Sequence, residues 1–305
     1  MSFYINLDES VFKSSGQQVS SAMVESYMKN INFYRYKLGS KNIHLNSEEV
    51  VNNQITGQLI TKNPNGVVVE DNTDPMYYSG DSGFFNKSIG QLNINGNVEI
   101  RTGDTIANSQ RLIYRQSVDI VDLYGDVKTV NNNNKKLYRL VVNSDKAKYR
   151  KKIGILNYVG NVNGQIRRRR KYEAPVFFKS NRLDFFENEM RGDLLGEVEI
   201  KKLDTLATSR RGELFLENYN KKLKYFALYD DVVVKQDVSP IDGTPFVRTA
   251  FSEKLEGYPS EGLIVLLGYP KVNQKQDVIK GNIIILRDNN ETIEVDNANS
   301  NFRLK

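Results

Sequence analysis

The sequence predicts an all-β fold, and three observations carry that prediction. The first is a recurring spacing. Ser109 is followed by Tyr114 at plus five, Gly125 at plus sixteen and Val127 at plus eighteen. Ser144, Tyr149, Gly160 and Val162 repeat those offsets, as do Ser180, Phe185, Gly196 and Val198, and Ser252 and Gly268 keep the sixteen-residue gap. A longer register lies over it: Gly96-Asn-Val-Glu-Ile100 and Gly196-Glu-Val-Glu-Ile200 sit 100 residues apart, and Asp104, Thr105, Ala107 and Ser109 reappear as Asp204, Thr205, Ala207 and Ser209. Such self-similarity marks copies of one supersecondary unit, none of which buries its apolar face alone. The second observation is period-two alternation, with Val98 and Ile100 set against Asn97, Glu99 and Arg101, beside continuous β-branched runs at Val232–Val234 and Ile283–Ile285. The third is the punctuation: Asn63-Pro-Asn-Gly66, Asn131–Asn134, Asn161-Val-Asn-Gly164, Pro240–Pro245 and Asp288–Asn290 separate segments of strand length.

The repeated Gly before x-Val predicts a bulge or turn with positive φ, where a Cβ would clash. Each copy then reads as a strand, a short reversal, and a second strand ending in Gly-x-Val, with the Ser and the aromatic marking the strand before. Helical periodicity is confined to one candidate, Val19–Lys29. Blade-like repeats are lacking, which argues against a propeller, and the spacing is too uneven for a regular β-helix.

Composition removes several classes of function. There is no cysteine, so disulfide frameworks, thiolate zinc sites and cysteine nucleophiles are excluded. A single histidine, His44, makes no multi-histidine metal site and no Ser-His-Asp triad, and a strand or surface role is expected for it. Adjacent carboxylates such as Glu48-Glu49 and Asp230-Asp231 point to opposite faces of a strand and do not converge as glycosidase chemistry requires. No Gly-x-x-x-x-Gly-Lys-Ser/Thr phosphate loop occurs. No catalytic residue, metal or cofactor is therefore expected. The net charge of +6 favours an anionic partner. The run Arg167, Arg168, Arg169, Arg170, Lys171 is the strongest charge feature. Guanidinium forks suit phosphate oxygens, so it is a candidate anionic-headgroup contact, although a solvated loop explains it equally simply. Nucleic acid is not expected, because no aromatic-plus-basic stacking surface accompanies the run. No run of about 20 apolar residues is long enough to span a bilayer as a helix, and Met1-Ser-Phe-Tyr has no signal-peptide character.

The last third reads Gly262-Leu-Ile-Val-Leu-Leu-Gly268, then a polar turn, then Val278-Ile-Lys-Gly-Asn-Ile-Ile-Ile-Leu286. This resembles the OstA-like, LptA-type periplasmic bridge proteins of lipopolysaccharide export. In that family a strand ending Leu-x-Gly leads into Ile-x-Gly-Asp-x-Ile-x-Tyr. Here Ile279, Gly281, Ile283 and Ile285 fill the second motif, with Asn282 where Asp is commoner and Ile285 where Tyr is commoner. Gly96-Asn-Val98, Gly125-Asp-Val127 and Gly160-Asn-Val162 are similar to the family's recurrent Gly-Asn-Val. The resemblance covers roughly Ser79–Lys305. Ile31-Asn-Phe-Tyr-Arg-Tyr36, Ile43–Leu45 and Glu48–Val51 resemble the opening strands of the related LptC-type module.

The resemblance implies an elongated, twisted antiparallel β-jellyroll, an open taco of repeated strand pairs, divided as residues 1–75 (LptC-like or irregular strands), 76–178 (a first OstA-like module) and 179–305 (a second, continuous with it). It implies a non-enzymatic periplasmic bridge that holds lipopolysaccharide or a related glycolipid by its acyl chains and passes it toward the outer membrane. The implied partners are head-to-tail jellyrolls of the inner-membrane transporter complex and the outer-membrane translocon, with room for self-association. An export signal or membrane anchor is expected ahead of Met1 in the native chain. Groove-lining candidates are the apolar members of the repeated strands: Val98, Ile100, Leu112, Tyr114, Val121, Leu123 and Val127; then Tyr149, Leu156, Tyr158, Val162, Phe185, Leu194, Val198 and Ile200; then Ile264, Leu266, Ile283 and Ile285. The competing readings are a structural or adhesive β-repeat protein with a closed core and protein-binding edges, and, more remotely, a polysaccharide-active enzyme on a β scaffold.

Overall fold

The computed structural model describes residues 3–6, 25–37, 40–53, 55–69, 74–131, 138–168, 174–217, 222–240, 243–287, 293–296 and 299–301. Among these, antiparallel strands account for almost all the regular structure, with one short 3-10 turn at Lys151–Ile153. Among the described residues no helix is long and apolar enough to cross a membrane. The chain forms two compact units, the first of residues 1–129 and 146–153, the second of residues 130–145 and 154–305.

The recurring Gly-x-Val is the key to both units. Gly96, Gly125, Gly160 and Gly196 take φ between 74° and 81°, and the residue after each, Asn97, Asp126, Asn161 or Glu197, is also left-handed at 45° to 48°. A glycine meets no Cβ penalty there, and Asn and Asp tolerate the conformation. At Gly96 the ladder register shifts: Asn95 pairs with Arg111 and Val98 with Ser109, so two residues oppose the single Gln110. The same two-against-one pattern falls at Val159/Val162 opposite Arg182/Ser180 and at Leu195/Val198 opposite Arg211/Ser209. These are β-bulges, which bend a strand without ending it. The expectation that Gly-x-Val closes a strand is thus corrected: Gly96 lies inside the strand Gln91–Thr102 and Gly196 inside Arg191–Lys202.

The recurrent serine belongs to the same corner. Ser109, Ser180, Ser209 and Ser252 stand opposite Val98, Val162, Val198 and Val232. Across the bend, the hydroxyls of Ser109, Ser180 and Ser209 donate to the carbonyls of Arg111, Arg182 and Arg211 at 3.2, 2.9 and 2.8 Å. The plus-sixteen spacing is therefore a length: from the corner serine out to a turn and back to the next bulge.

The line of bulges divides each long strand into two segments, so each unit has two arms meeting at a corner. In the first unit, Gln91–Asn95, Arg111–Arg115 and the strand Ser82–Asn86 build the first arm, while Val98–Thr102, Thr105–Ser109 and Met76–Ser79 build the second. In the second unit, Arg191–Leu195, Arg211–Leu216, Leu223–Tyr229 and Leu263–Leu267 belong to the first arm, and Val198–Lys202, Thr205–Ser209, Val232–Val238 and Lys271–Gln274 to the second. The arms turn their apolar faces toward each other. Phe33 of the second arm and Phe85 of the first lie with ring centroids 5.8 Å apart, and a Cβ on Gly212 would come within 3.3 Å of Val198 across the interior. This is the expected β-jellyroll. Each large apolar side chain fully removed from water contributes about 1.5–3 kcal/mol.

Glycine serves a second purpose on the inner face. Gly66, Gly164 and Gly257 stand directly opposite Tyr78, Phe178 and Phe226. At Gly164 a Cβ would fall 1.9 Å from the Phe178 ring, so the ring occupies the space that the missing side chain leaves. The helix expected over Val19–Lys29 is not formed where it can be seen: Glu25–Lys29 pair with Glu49–Asn53 as a strand, and Val19–Val24 lie outside the described residues. Met28, Ile31 and Phe33 pack inward on either side of a left-handed Asn30, which carries the corner where the period changes.

Candidate functional site

The inner faces bring together most of the residues singled out from sequence. Val98, Ile100, Leu112, Tyr114, Val121, Leu123 and Val127 are all buried in the first unit and belong to one apolar cluster. Tyr149 is half-buried against that cluster. In the second unit Tyr158, Val162, Leu194, Val198, Ile200, Ile264 and Leu266 are buried, while Leu156 and Phe185 are half-buried.

Ile283 and Ile285 depart from the set. Ile264 faces Leu286 and Leu266 faces Ile284, so those four share the inner side. Ile283 and Ile285 face Leu267 and Val265, and because alternate residues point to opposite faces, they lie on the outer side, half-buried. The inner positions are Ile284 and Leu286.

The interior of the second unit also holds a polar group that alternation with Ala250 and Ser252 would have pointed inward. Arg248 is fully buried. Its Nε donates to Gln274 Oε1 at 2.9 Å and its Nη1 to Gln236 Oε1 at 3.1 Å. Gln236 Nε2 in turn donates to the Arg287 carbonyl at 3.2 Å, joining the second arm to the first. Burial pulls the Arg248 pKa below its usual value.

A second bridge between the arms lies at their tips. Lys202 ends a second-arm segment, and its Nζ donates to the Pro259 carbonyl at 2.9 Å in the first-arm turn 259–262. Lys202 and Pro259 also help to line a slot of about 20 Å³, walled by Ile200, Thr205 and Ala207 on one side and Phe226, Tyr258 and Ile264 on the other. That is room for about one water molecule. In the first unit, Arg35 Nη1 donates to Gln116 Oε1, linking the second-arm half of the strand Glu25–Lys37, beyond the corner at Asn30, to the turn after Arg115 at the tip of the first arm.

The turn beside Lys202 is strained. Leu203 has φ 50° and is 54% exposed. In the sequence copy 100 residues earlier the same place is taken by Gly103, at φ 52°. A left-handed non-glycine residue costs about 1–2 kcal/mol. Thr102 of the earlier copy is replaced by Lys202.

On the outer side of the second arm in the first unit, a shallow depression of about 680 Å³ is lined by His44, Asn65, Val67, Tyr77, Glu99 and Arg101. His44 stacks on Tyr34 with centroids 4.6 Å apart, and its Nε2 lies 3.0 Å from Asn32 Oδ1, as suits a strand residue. Of the basic run, Arg167 is exposed, Arg168 ends the strand Ile155–Arg168, and Arg169, Arg170 and Lys171 lie outside the described residues. Among the described residues no cluster of three or more His, Asp or Glu side chains could hold a metal ion.

The sequence readings missed Arg248 and Lys202. Arg248 had a signal in the two-residue period, overridden by the rule that charges face water. Lys202 had none, because its partner is 57 residues away in the chain.

No curated protein matches the chain. Among solved structures, it is similar to LptH of Pseudomonas aeruginosa, described as the LptA-homologous periplasmic component of the lipopolysaccharide transport device, with 12% identity, a TM-score of 0.38, and coverage of 43% of this chain and 96% of that one. The family described as "Lipopolysaccharide-assembly, LptC-related" matches residues 1–121. Over those residues, the chain is similar to the LptC-related lipopolysaccharide-assembly proteins.

Proposed function

We propose that the protein is a periplasmic, non-enzymatic component of lipopolysaccharide transport that holds the acyl chains of lipopolysaccharide or a related glycolipid between its two arms. The observation that carries this reading is the way the arms are joined. Within each unit the chain folds one bent sheet so that an apolar face looks at an apolar face, and polar side-chain bonds cross between the arms, Arg35 to Gln116 in one unit and Lys202 to Pro259 in the other. Side-chain bonds of this kind are worth about 0.5–1.5 kcal/mol each, so parting the tips need not break a strand ladder. The family match over residues 1–121 supports lipopolysaccharide as the cargo class.

The energetics fit a carrier without chemistry. Apolar chain in water costs about 0.8 kcal/mol per CH₂, so a chain of about 12 carbons costs on the order of 10 kcal/mol gross. A covered apolar interior removes that barrier, while net direction must come from an energy-consuming transporter elsewhere. In this reading Arg167 and the rest of its basic run meet lipid phosphates. Neighbouring jellyrolls of the transport bridge add strands at the end edges, Glu25–Lys29 at one and Ile293–Asp296 at the other, by main-chain pairing.

A second reading is favoured by a specific observation: the inner side chains are close-packed, and the slot in the second unit is small. A structural or adhesive protein with a permanently dry core would look the same. Site-specific photocrosslinking to lipopolysaccharide from Leu123 and Leu266, with Glu99 as an outward control, separates the two. The transport reading expects label at both inner positions and none at Glu99. A folded protein unlabelled at every position would establish the dry-core reading instead.

A further inference from the structure

The tip of the second unit carries three features in one place: a cation bridging the arms, an apolar slot that it helps to line, and an exposed leucine beside it. Lys202 reaches across the gap to the Pro259 carbonyl. The slot that Lys202 and Pro259 help to line is walled by Ile200 and Ala207 from one arm and Phe226 and Ile264 from the other. Leu203 stands outward at the rim in a left-handed conformation.

The earlier copy of this turn shows what the fold alone requires. Thr102-Gly103-Asp104-Thr105 makes the same two-residue turn with an unstrained glycine. The copy Lys202-Leu203-Asp204-Thr205 keeps the last two residues and changes the first two, to a cation and to a bulky residue in a conformation that suits glycine. Neither change is explained by the turn itself. Observed strain of this kind points toward function.

We propose that this seam is where an amphiphile with an anionic headgroup enters the interior of the second unit sideways, between the arm tips, with Lys202 exchanging the Pro259 carbonyl for the headgroup phosphate. The inference rests on the transport reading above, since it assigns the route into the interior that reading fills. The ligand chemistry follows from the geometry. A lysine ammonium is a point charge that suits phosphate. The slot it helps to line is apolar, and Leu203 offers the first apolar contact outside it. The slot holds about one water molecule as it stands. An acyl chain therefore enters only if the tips separate, and breaking the Lys202–Pro259 bond is part of that separation. Phosphate capture by the same ammonium replaces the bond that is lost.

The absence of cysteine gives a clean test. Leu203→Cys and Ser260→Cys place one thiol on each tip, and a short reversible bis-thiosulfonate reagent joins them in the full chain. The readout is photolabelling from Leu266 by lipopolysaccharide, with circular dichroism confirming strand content. Joined tips should abolish labelling, and reduction should restore it. In the unmodified background, Lys202→Gln should lower labelling by phosphorylated lipopolysaccharide about tenfold and leave labelling by the enzymatically dephosphorylated lipid unchanged. Wild-type labelling with the tips joined would overturn the seam and place the way in elsewhere. Equal losses for both lipids in Lys202→Gln would overturn the headgroup role. No labelling in the wild-type protein would remove the transport reading itself, and this inference with it, and is distinguishable because no cysteine has then been introduced.

Discussion

Single residues in this protein matter most where a side chain is missing or where one is held against its preference. Gly164 illustrates the first. Phe178 lies across the strand where a Cβ would stand, 1.9 Å from Cζ and 2.3 Å from two further ring carbons. Gly164→Ala forces the ring off its site in a packed interior, and overpacking of this kind costs about 1–3 kcal/mol. A lowered urea midpoint with unchanged slope would confirm it, and an unchanged midpoint would mean that the ring moves freely. Leu203 illustrates the second. Leu203→Gly relieves the left-handed strain and should raise stability, by up to about 1–2 kcal/mol less the entropy that glycine adds to the unfolded chain. If the midpoint falls instead, the exposed leucine makes contacts that outweigh its backbone cost.

At the scale of elements, the unit of design is the corner, and how each corner is made decides how much of it could be read in the sequence. The recurrent Gly-x-Val advertises left-handed backbone, so the bulges at Gly96, Gly160 and Gly196 were legible from spacing alone. The corner in the strand Leu223–Val238 was not, because Asp230 and Asp231 take φ 65° and 53° without a glycine. Ion pairs hold it instead, Arg211 Nε to Asp230 at 2.6 Å and Arg210 Nη2 to Asp231 at 2.5 Å. The facing of Ile283 and Ile285 was illegible for a different reason: a run of three isoleucines has no alternation to read. The seam at Lys202 depends on a contact across the interior, for which no local pattern exists. The glycine-free corner makes a pH prediction. The hydrogen bond from Arg211 holds the Asp230 pKa below the usual carboxylate value. A depressed folded-state pKa gives stabilisation that is fully present above the unfolded value of about 4 and is lost as pH falls through the folded one. Asp230→Asn should therefore lower stability at pH 7 and make no difference once the wild-type carboxylate is protonated, well below pH 4. Urea midpoints of the two proteins across pH 7 to 2 test this; a gap that persists undiminished to the acid end would assign the effect to backbone preference rather than to charge.

At the scale of the whole molecule, a carrier and a dry-core protein differ in what lipid does to stability. Burial cannot tell them apart, since Leu123 and Leu266 are inside in both cases. Linkage can. A ligand that binds only the folded state stabilises it by about 2.7 kcal/mol at roughly a hundredfold excess over its dissociation constant. If acyl chains occupy the interior, lipopolysaccharide should slow amide hydrogen exchange in the inward-facing strands, in Gln91–Thr102 for the first unit and in Leu263–Leu267 for the second. The two strands report separately, so each unit can be silenced in turn. Leu123→Arg places a charge on the apolar face of the first unit and should cancel the lipid-dependent protection of Gln91–Thr102, with Leu263–Leu267 still responding. Burying an unpaired charge also costs stability by itself, so the comparison is made within each protein, with and without lipid, and Leu123→Met serves as the control that preserves shape and should still respond. Protection that is the same with and without lipid in the wild-type protein, in both strands, would mean that the arms never part and that the apolar faces exist only for each other.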